Sequence, residues 1–188
     1  MLFKPTEAYH ISNWTVLHNQ NLHSISQADN LILTSALFME QAQALADYHA
    51  ERECLTSVVV DVNEIYNEFS TGIPDPSGVR DFVRMVYRRS EGRLKYLTLI
   101  GRASFDFRDI NGYGKNFVPT YETMEDPQYE LSFCTDDFFA LMDASEGLNS
   151  KGHVDISVGR ISVSTVEEAE TMLRKLKHYD DTAASYGE

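Results

Sequence analysis

Four short apolar runs recur along the chain, separated by turn signals and by stripes of apolar residues at helical spacing. NLILT (30–34), SVVVD (57–61), YLTLI (96–100) and DISVGRI (155–161) present little polar face, as strands do in a parallel sheet covered on both sides. Phe38, Ala42, Leu45, Ala46 and His49 predict an amphipathic helix running to about Arg52, with Ser35 as its N-cap. Val79, Phe82, Val83, Val86 and Tyr87 predict a second helix, begun by Asp75 as cap and Pro76 in the first turn. Ala169, Met172, Leu173 and Leu176 predict a third; Ser164 with Glu167 matches a capping box, and Ser162 and Thr165 are alternative caps. Right-handed crossovers then give a doubly wound α/β fold with a four-stranded parallel sheet in the order 2-1-3-4, flanked by helices.

The stretches between these elements read differently. Residues 62–76, VNEIYNEFSTGIPDP, end in a Gly and Pro cluster and are expected to be a connector. FVPTYE (117–122) and LSFCTDDFFALM (131–142) suggest two extended arms of an inserted hairpin or flap, with Pro119 at an edge. Residues 143–153 are polar and expected to be mobile. Residues 1–29 read as an N-terminal extension or the tail of an upstream domain, in which Trp14 covers a core. Arg80, Arg84, Arg88 and Arg89 read as a solvated face, and so does the basic end formed by Arg174, Lys175, Lys177 and His178. The main domain is expected over 30–181, followed by a linker over 182–188.

Charge and motifs narrow the chemistry. Across 188 residues, 16 Lys and Arg stand against 29 Asp and Glu, a formal charge of −13, which argues against nucleic acid or an anionic membrane as partner. No apolar run reaches the ~20 residues of a membrane-spanning helix, and MLFKPTEAYH lacks the apolar core of a secretory leader. Cys54 and Cys134 make no disulfide framework and no CxxC pair. The turn after the first strand, TSALFM, has no glycine to admit a dinucleotide phosphate, and there is no P-loop, GxSxG or HExxH. Asp136 and Asp137, with Asp106, Asp109 and Asp143 as possible neighbours, are candidate calcium ligands; no other cofactor is required. Cys134 and His153 are the available thiol and base, but the two aspartates after Cys134 disfavour a thiolate. Arg102, Ser104 and Asp106 follow the third strand, at the edge where open α/β sheets gather ligands, and are the cleft-loop candidates.

LKYLTLIGRASFDF, FVPTYE, SFCTDDFFALMD and DISVGRISVSTVEEAETMLRKLKHYD follow one another in an order that resembles the gingipain-type cysteine peptidases, most sharply in VGRxxVxTxxEA (158–169). DVNEIYNEFSTGIPDPSGVRDFVRMVY is similar to the segment that precedes them. The resemblance covers roughly residues 19–181. It implies a caspase-like fold in two subdomains, of which this chain is similar to the first. The family's catalytic His, in a His-Gly context, and then its Cys come from the second, so no catalytic residue carries over. His precedes Cys in the family, whereas Cys134 precedes His153 here. Arg102 departs from the acidic residue that relatives often carry after the strand glycine. What is implied is a surface or extracellular sortase-like peptidase of the type IX secretion system. Its partners would be the downstream catalytic subdomain, protein or peptide cargo and other secretion-system components.

Overall fold

The computed structural model describes residues 14, 16–114, 116–123, 132–147 and 151–183. Its strands are β1 (Asn30–Thr34), β2 (Ser57–Asp61), β3 (Tyr96–Ile100), β4 (Tyr121–Glu122), β5 (Cys134–Thr135) and β6 (Ser157–Ile161). Its α-helices are α1 (Met39–Glu53), α2 (Val62–Phe69), α3 (Pro76–Arg89) and α4 (Val166–Ala183). The main sheet has the order β2-β1-β3-β6, and β4 and β5 form a separate two-stranded pair. All three ladders of the main sheet are parallel, with Asn30 opposite both Ser57 and Tyr96, and Tyr96 opposite Ser157. This is the α/β architecture that the alternation of strands and helical stripes predicts.

The alternation of side chains along each strand divides the core in two. Leu31, Leu33, Leu97 and Leu99 face one layer, where Ile65 and Tyr66 of α2 meet Val79, Phe82, Val83 and Val86 of α3. Ile32 and Ile100 face the other, against Ala42, Leu45 and Ala46 of α1 and Ala169 of α4. β1 is buried at all five positions. Its polar ends are satisfied within the sheet: Asn30 Nδ2 donates to Ser57 Oγ at 3.2 Å, its Oδ1 accepts from Thr98 Oγ1 at 3.3 Å, and Thr34 Oγ1 donates to the Ile100 carbonyl at 3.1 Å. Those bonds lower the cost of burying polar groups at the ends of an apolar strand.

Several expectations need correction. The stretch expected as a connector begins with α2, capped by Asp61, whose side chain accepts from the Asn63 N–H. Val62, Ile65, Tyr66 and Phe69 supply an i, i+3, i+4, i+7 stripe, which the following Gly and Pro cluster obscures. The second arm is not extended throughout: Asp137–Ala140 is a 3-10 turn, and Phe138, Phe139 and Ala140 are buried in the main core. Tyr121 stacks on Phe138 with ring centroids 3.9 Å apart, so this excursion is packed down and is not a free flap. Arg80 is no solvated residue. It donates to the carbonyls of Leu141, Asp143 and Glu146 at 2.8, 3.1 and 3.0 Å, and sits 5.3 Å from the Phe138 ring centroid. The start of the stretch expected to be mobile is therefore fastened to α3.

The polar N-terminal stretch also joins the domain. Leu22 and Ala28 lie in the main core, with Ile25 packed against it. Glu68 of α2 accepts from Gln20 Nε2, the Leu22 N–H and His23 Nδ1 at 3.0, 2.8 and 2.6 Å. His23 also stacks on Phe69, and its carbonyl accepts from Arg89 Nη1. Trp14, by contrast, is 81% exposed and covers no core among the described residues. At the other end, Thr165 proves to be the cap of α4. Its Oγ1 accepts from the Glu168 N–H at 3.2 Å, while Glu168 Oε2 accepts from the Ser164 N–H at 2.7 Å. Leu176, expected on the buried stripe, is exposed, whereas Ala169 is buried and Met172 and Leu173 pack against the core.

Candidate functional site

The carboxyl edge of the sheet opens into a cleft of about 620 Å³ between β3, β5, β6 and the start of α4. Arg102, Ser104, Phe105, Cys134, Arg160 and Ser162 are among its walls. A second cleft of about 310 Å³ shares Arg102, Ser104, Phe105 and Cys134 with it and extends to Tyr113 and Gly114. Ligands of open parallel sheets collect at this edge, because the loops leaving the strands bring different segments together there.

Arg160 of β6 organises the cleft. Its Nε donates to Asp136 Oδ2 at 2.8 Å and its Nη2 to Asp136 Oδ1 at 2.7 Å, a two-pronged pair. Nη1 donates to the carbonyls of Gly101 and Val118 at 2.8 and 2.9 Å, and Nη2 to that of Pro119 at 2.8 Å. All five N–H donors of the guanidinium are thereby used. One side chain, 10% exposed, ties the end of β3, the 118–119 segment and the residue after β5 to β6. A lysine offers neither the planar fork nor five donors, so the arrangement is specific to arginine.

Gly101 makes the turn out of β3. Its φ is +134°, and a Cβ there would lie 2.7 Å from Phe117 Cβ, so the close approach of the 117–118 segment excludes a side chain. Arg102 and Ser104 reach the cleft, as described, but Asp106 does not line it. Asp106 instead shapes the loop: Oδ1 accepts from the Ile110 N–H at 2.9 Å and Oδ2 from the Asn111 N–H at 2.7 Å. The Asn111 N–H first, and then that of Ile110, hold this carboxyl below the usual carboxylate range despite partial desolvation.

The thiol of Cys134 opens on the cleft, but burial, and then the charges of Glu122 and Asp136, push its pKa up. A thiol shifted in that direction forms less thiolate and is a poorer nucleophile. His153 lines neither cleft; its backbone N–H is bound by Glu146 Oε1 at 3.0 Å, in the loop that Arg80 fastens. Both oxygens of Asp136 face Arg160, and Asp137 begins the 3-10 turn. Among the described residues no group of three or more His, Cys, Asp or Glu side chains could hold a metal ion. The geometry thus gives the calcium expectation no support. The structure does identify Arg160, a residue passed over in the sequence. The available sign was a cation in the middle of a strand's apolar run, where an arginine needs a buried acceptor.

Comparison with known proteins bears on the same segments. The family model for peptidase family C25 matches residues 23–188. Among solved structures, dimeric latent PorU from Porphyromonas gingivalis superposes with a TM-score of 0.74 at 27% identity, over 87% of this chain and 16% of that one. The complex of RgpB pro- and mature domains, also from Porphyromonas gingivalis, gives a TM-score of 0.53 at 17% identity, over 80% of this chain and 28% of that one, and bears on the fold alone. The chain therefore spans less than a third of the length of either. No curated protein matches it. The family match runs through every strand and α-helix described above, and on that ground the chain belongs to peptidase family C25.

Proposed function

We propose that this chain is the non-catalytic first subdomain of a cysteine peptidase, and that the parent acts as a sortase on C-terminal signals of cargo secreted to the cell surface. The nucleophilic Cys and its His would come from a second subdomain outside these residues. The observation that carries this reading is the C25 match over a segment in which Cys134 lines the cleft with Asp136 and His153 lines neither cleft. A family of cysteine peptidases needs a thiolate, and Cys134, beside Asp136 and away from His153, is badly placed to form one. The role left to the chain is support: the sheet and the Arg160 network hold a cleft wall against which a peptide is processed. The type IX secretion setting and the cell-surface location rest on the likeness to PorU and to the gingipain motifs quoted above.

The test is a cleavage assay on the parent protein and on this chain with a cargo-derived peptide. The 188-residue chain alone is expected to give no thiol-dependent cleavage. In the parent, Cys134→Ala is expected to leave the rate within about twofold, since Cys134 contributes no thiolate. Loss of activity in that variant comparable to loss of a nucleophile would reverse the assignment.

A further inference from the structure

The larger cleft contains four charged side chains, Arg102, Asp136, Arg160 and Glu168. Three are already engaged. Arg160 uses all five donors, Asp136 both oxygens, and Glu168 accepts the Ser164 N–H at the start of α4. The guanidinium of Arg102 is exposed and has no hydrogen-bond or ion-pair partner among the described residues. Its backbone, in contrast, is clamped on both sides. The N–H donates to the Val163 carbonyl at 2.8 Å, and its carbonyl accepts from the Phe117 N–H at 2.9 Å. Downstream, the Ser104 N–H donates to Asn116 Oδ1 at 3.1 Å, and Ser104 Oγ accepts from the Asp106 N–H at 3.2 Å. The loop's backbone is anchored by these bonds, while the Arg102 guanidinium is uncommitted among the described residues.

Two aromatic residues share a cleft with that cation. Phe105 is 55% exposed and Tyr113 68%, and both line the smaller cleft beside Arg102. We propose that the Arg102 guanidinium recognises a carboxylate of a peptide bound along the two clefts, with Phe105 and Tyr113 covering the apolar side chain next to it. A guanidinium binds a carboxylate through two parallel hydrogen bonds, and a fixed loop lowers the ordering cost of doing so. The ligand is a singly charged carboxylate and not a phosphate, because Arg102 is the one unpaired cation among the described residues of the larger cleft, where Arg160 is already matched by Asp136. This inference rests on the reading that the cleft meets peptide, and its test measures binding without cleavage, so either can fail without the other.

The experiment titrates the isotope-labelled full chain with three peptides and follows the Arg102 Nε resonance and the amides of residues 103–105 by NMR. The first is the N-acetylated, C-amidated tetrapeptide Gly-Phe-Asp-Gly, the second its Asn isostere, and the third N-acetylated Gly-Phe-Gly with a free C-terminus. At least one carboxylate peptide is expected to bind about tenfold more tightly than the Asn isostere, as a charge-assisted pair requires. Preference for the first assigns a side-chain carboxylate, and preference for the third a terminal one. Arg102→Gln is expected to abolish the ratio and Arg102→Lys to keep part of it. Equal binding of all three, no binding at millimolar concentrations, or a ratio that survives in Arg102→Gln overturns the proposal. Displacement of the peptide by inorganic phosphate more readily than by acetate also overturns it. The wild-type comparison stands even if a variant fails to fold.

Discussion

Arg160 shows how much of this structure hangs on one side chain. Placing a guanidinium at 10% exposure is costly unless every donor finds an acceptor, and here every donor does. Three of the acceptors are main-chain carbonyls at the ends of loops, which have no strand ladder to satisfy them. Arg160→Lys keeps the charge and loses the fork. It is expected to cost about 2–4 kcal/mol in urea denaturation, in the range for disrupting a hydrogen-bonded buried ion pair. A loss below about 0.5 kcal/mol, the level of a surface ion pair, would mean that the network contributes no more than an exposed contact. Gly101 belongs to the same local design, since the carbonyl that Arg160 holds is the one whose residue cannot carry a Cβ.

At the scale of elements, the attachment of the 20–24 segment to α2 decides where the domain begins. Burial pushes the Glu68 carboxyl up, but the Leu22 N–H and then Gln20 and His23 outweigh it, and the pKa falls to about 2 from the ordinary 4.5. A carboxyl depressed in the folded state contributes stability that is fully present above about pH 4.5 and is lost as pH falls toward 2. Glu68→Gln is therefore expected to melt lower than wild type at neutral pH, with the gap closing through that acid window. A gap that stays constant would mean that Glu68 titrates as it does in the unfolded chain. Apolar runs and 3.6-residue stripes report burial directly, so the four main strands, three of the helices and the strand order were readable. α2 was hidden by the turn residues that end it. Glu68 and Arg80 were hidden because a charged side chain on a helix looks the same whether water or a distant loop receives it. The cleft loop could be located from its strand, but which of its residues face the cleft depends on hydrogen bonds between segments far apart in sequence, such as Arg160 to Asp136.

On the scale of the whole molecule, the two edges of the sheet are unequal. β2 is half-buried except at Val60, which is buried in the core, and ends in the Asp61 cap of α2. β6, the other edge, is exposed at Ser157 and Gly159 and half-buried elsewhere, and the Cβ direction of Gly159 meets nothing within 4 Å. One flank of its backbone, like one flank of β2, has no strand beside it among the described residues. Such a row of unused donors and acceptors is a template for another strand. Concentrated solutions of the chain are thus expected to self-associate through this border, with the formal charge of −13 as the opposing force, so added salt should promote it. Gly159→Lys has room for its side chain and is expected to hold the chain monomeric in sedimentation at salt concentrations where the parent sequence associates. If the chain associates in this way, its behaviour at the bench, from storage buffer to crystallisation drop, follows from five residues at the rim of its sheet.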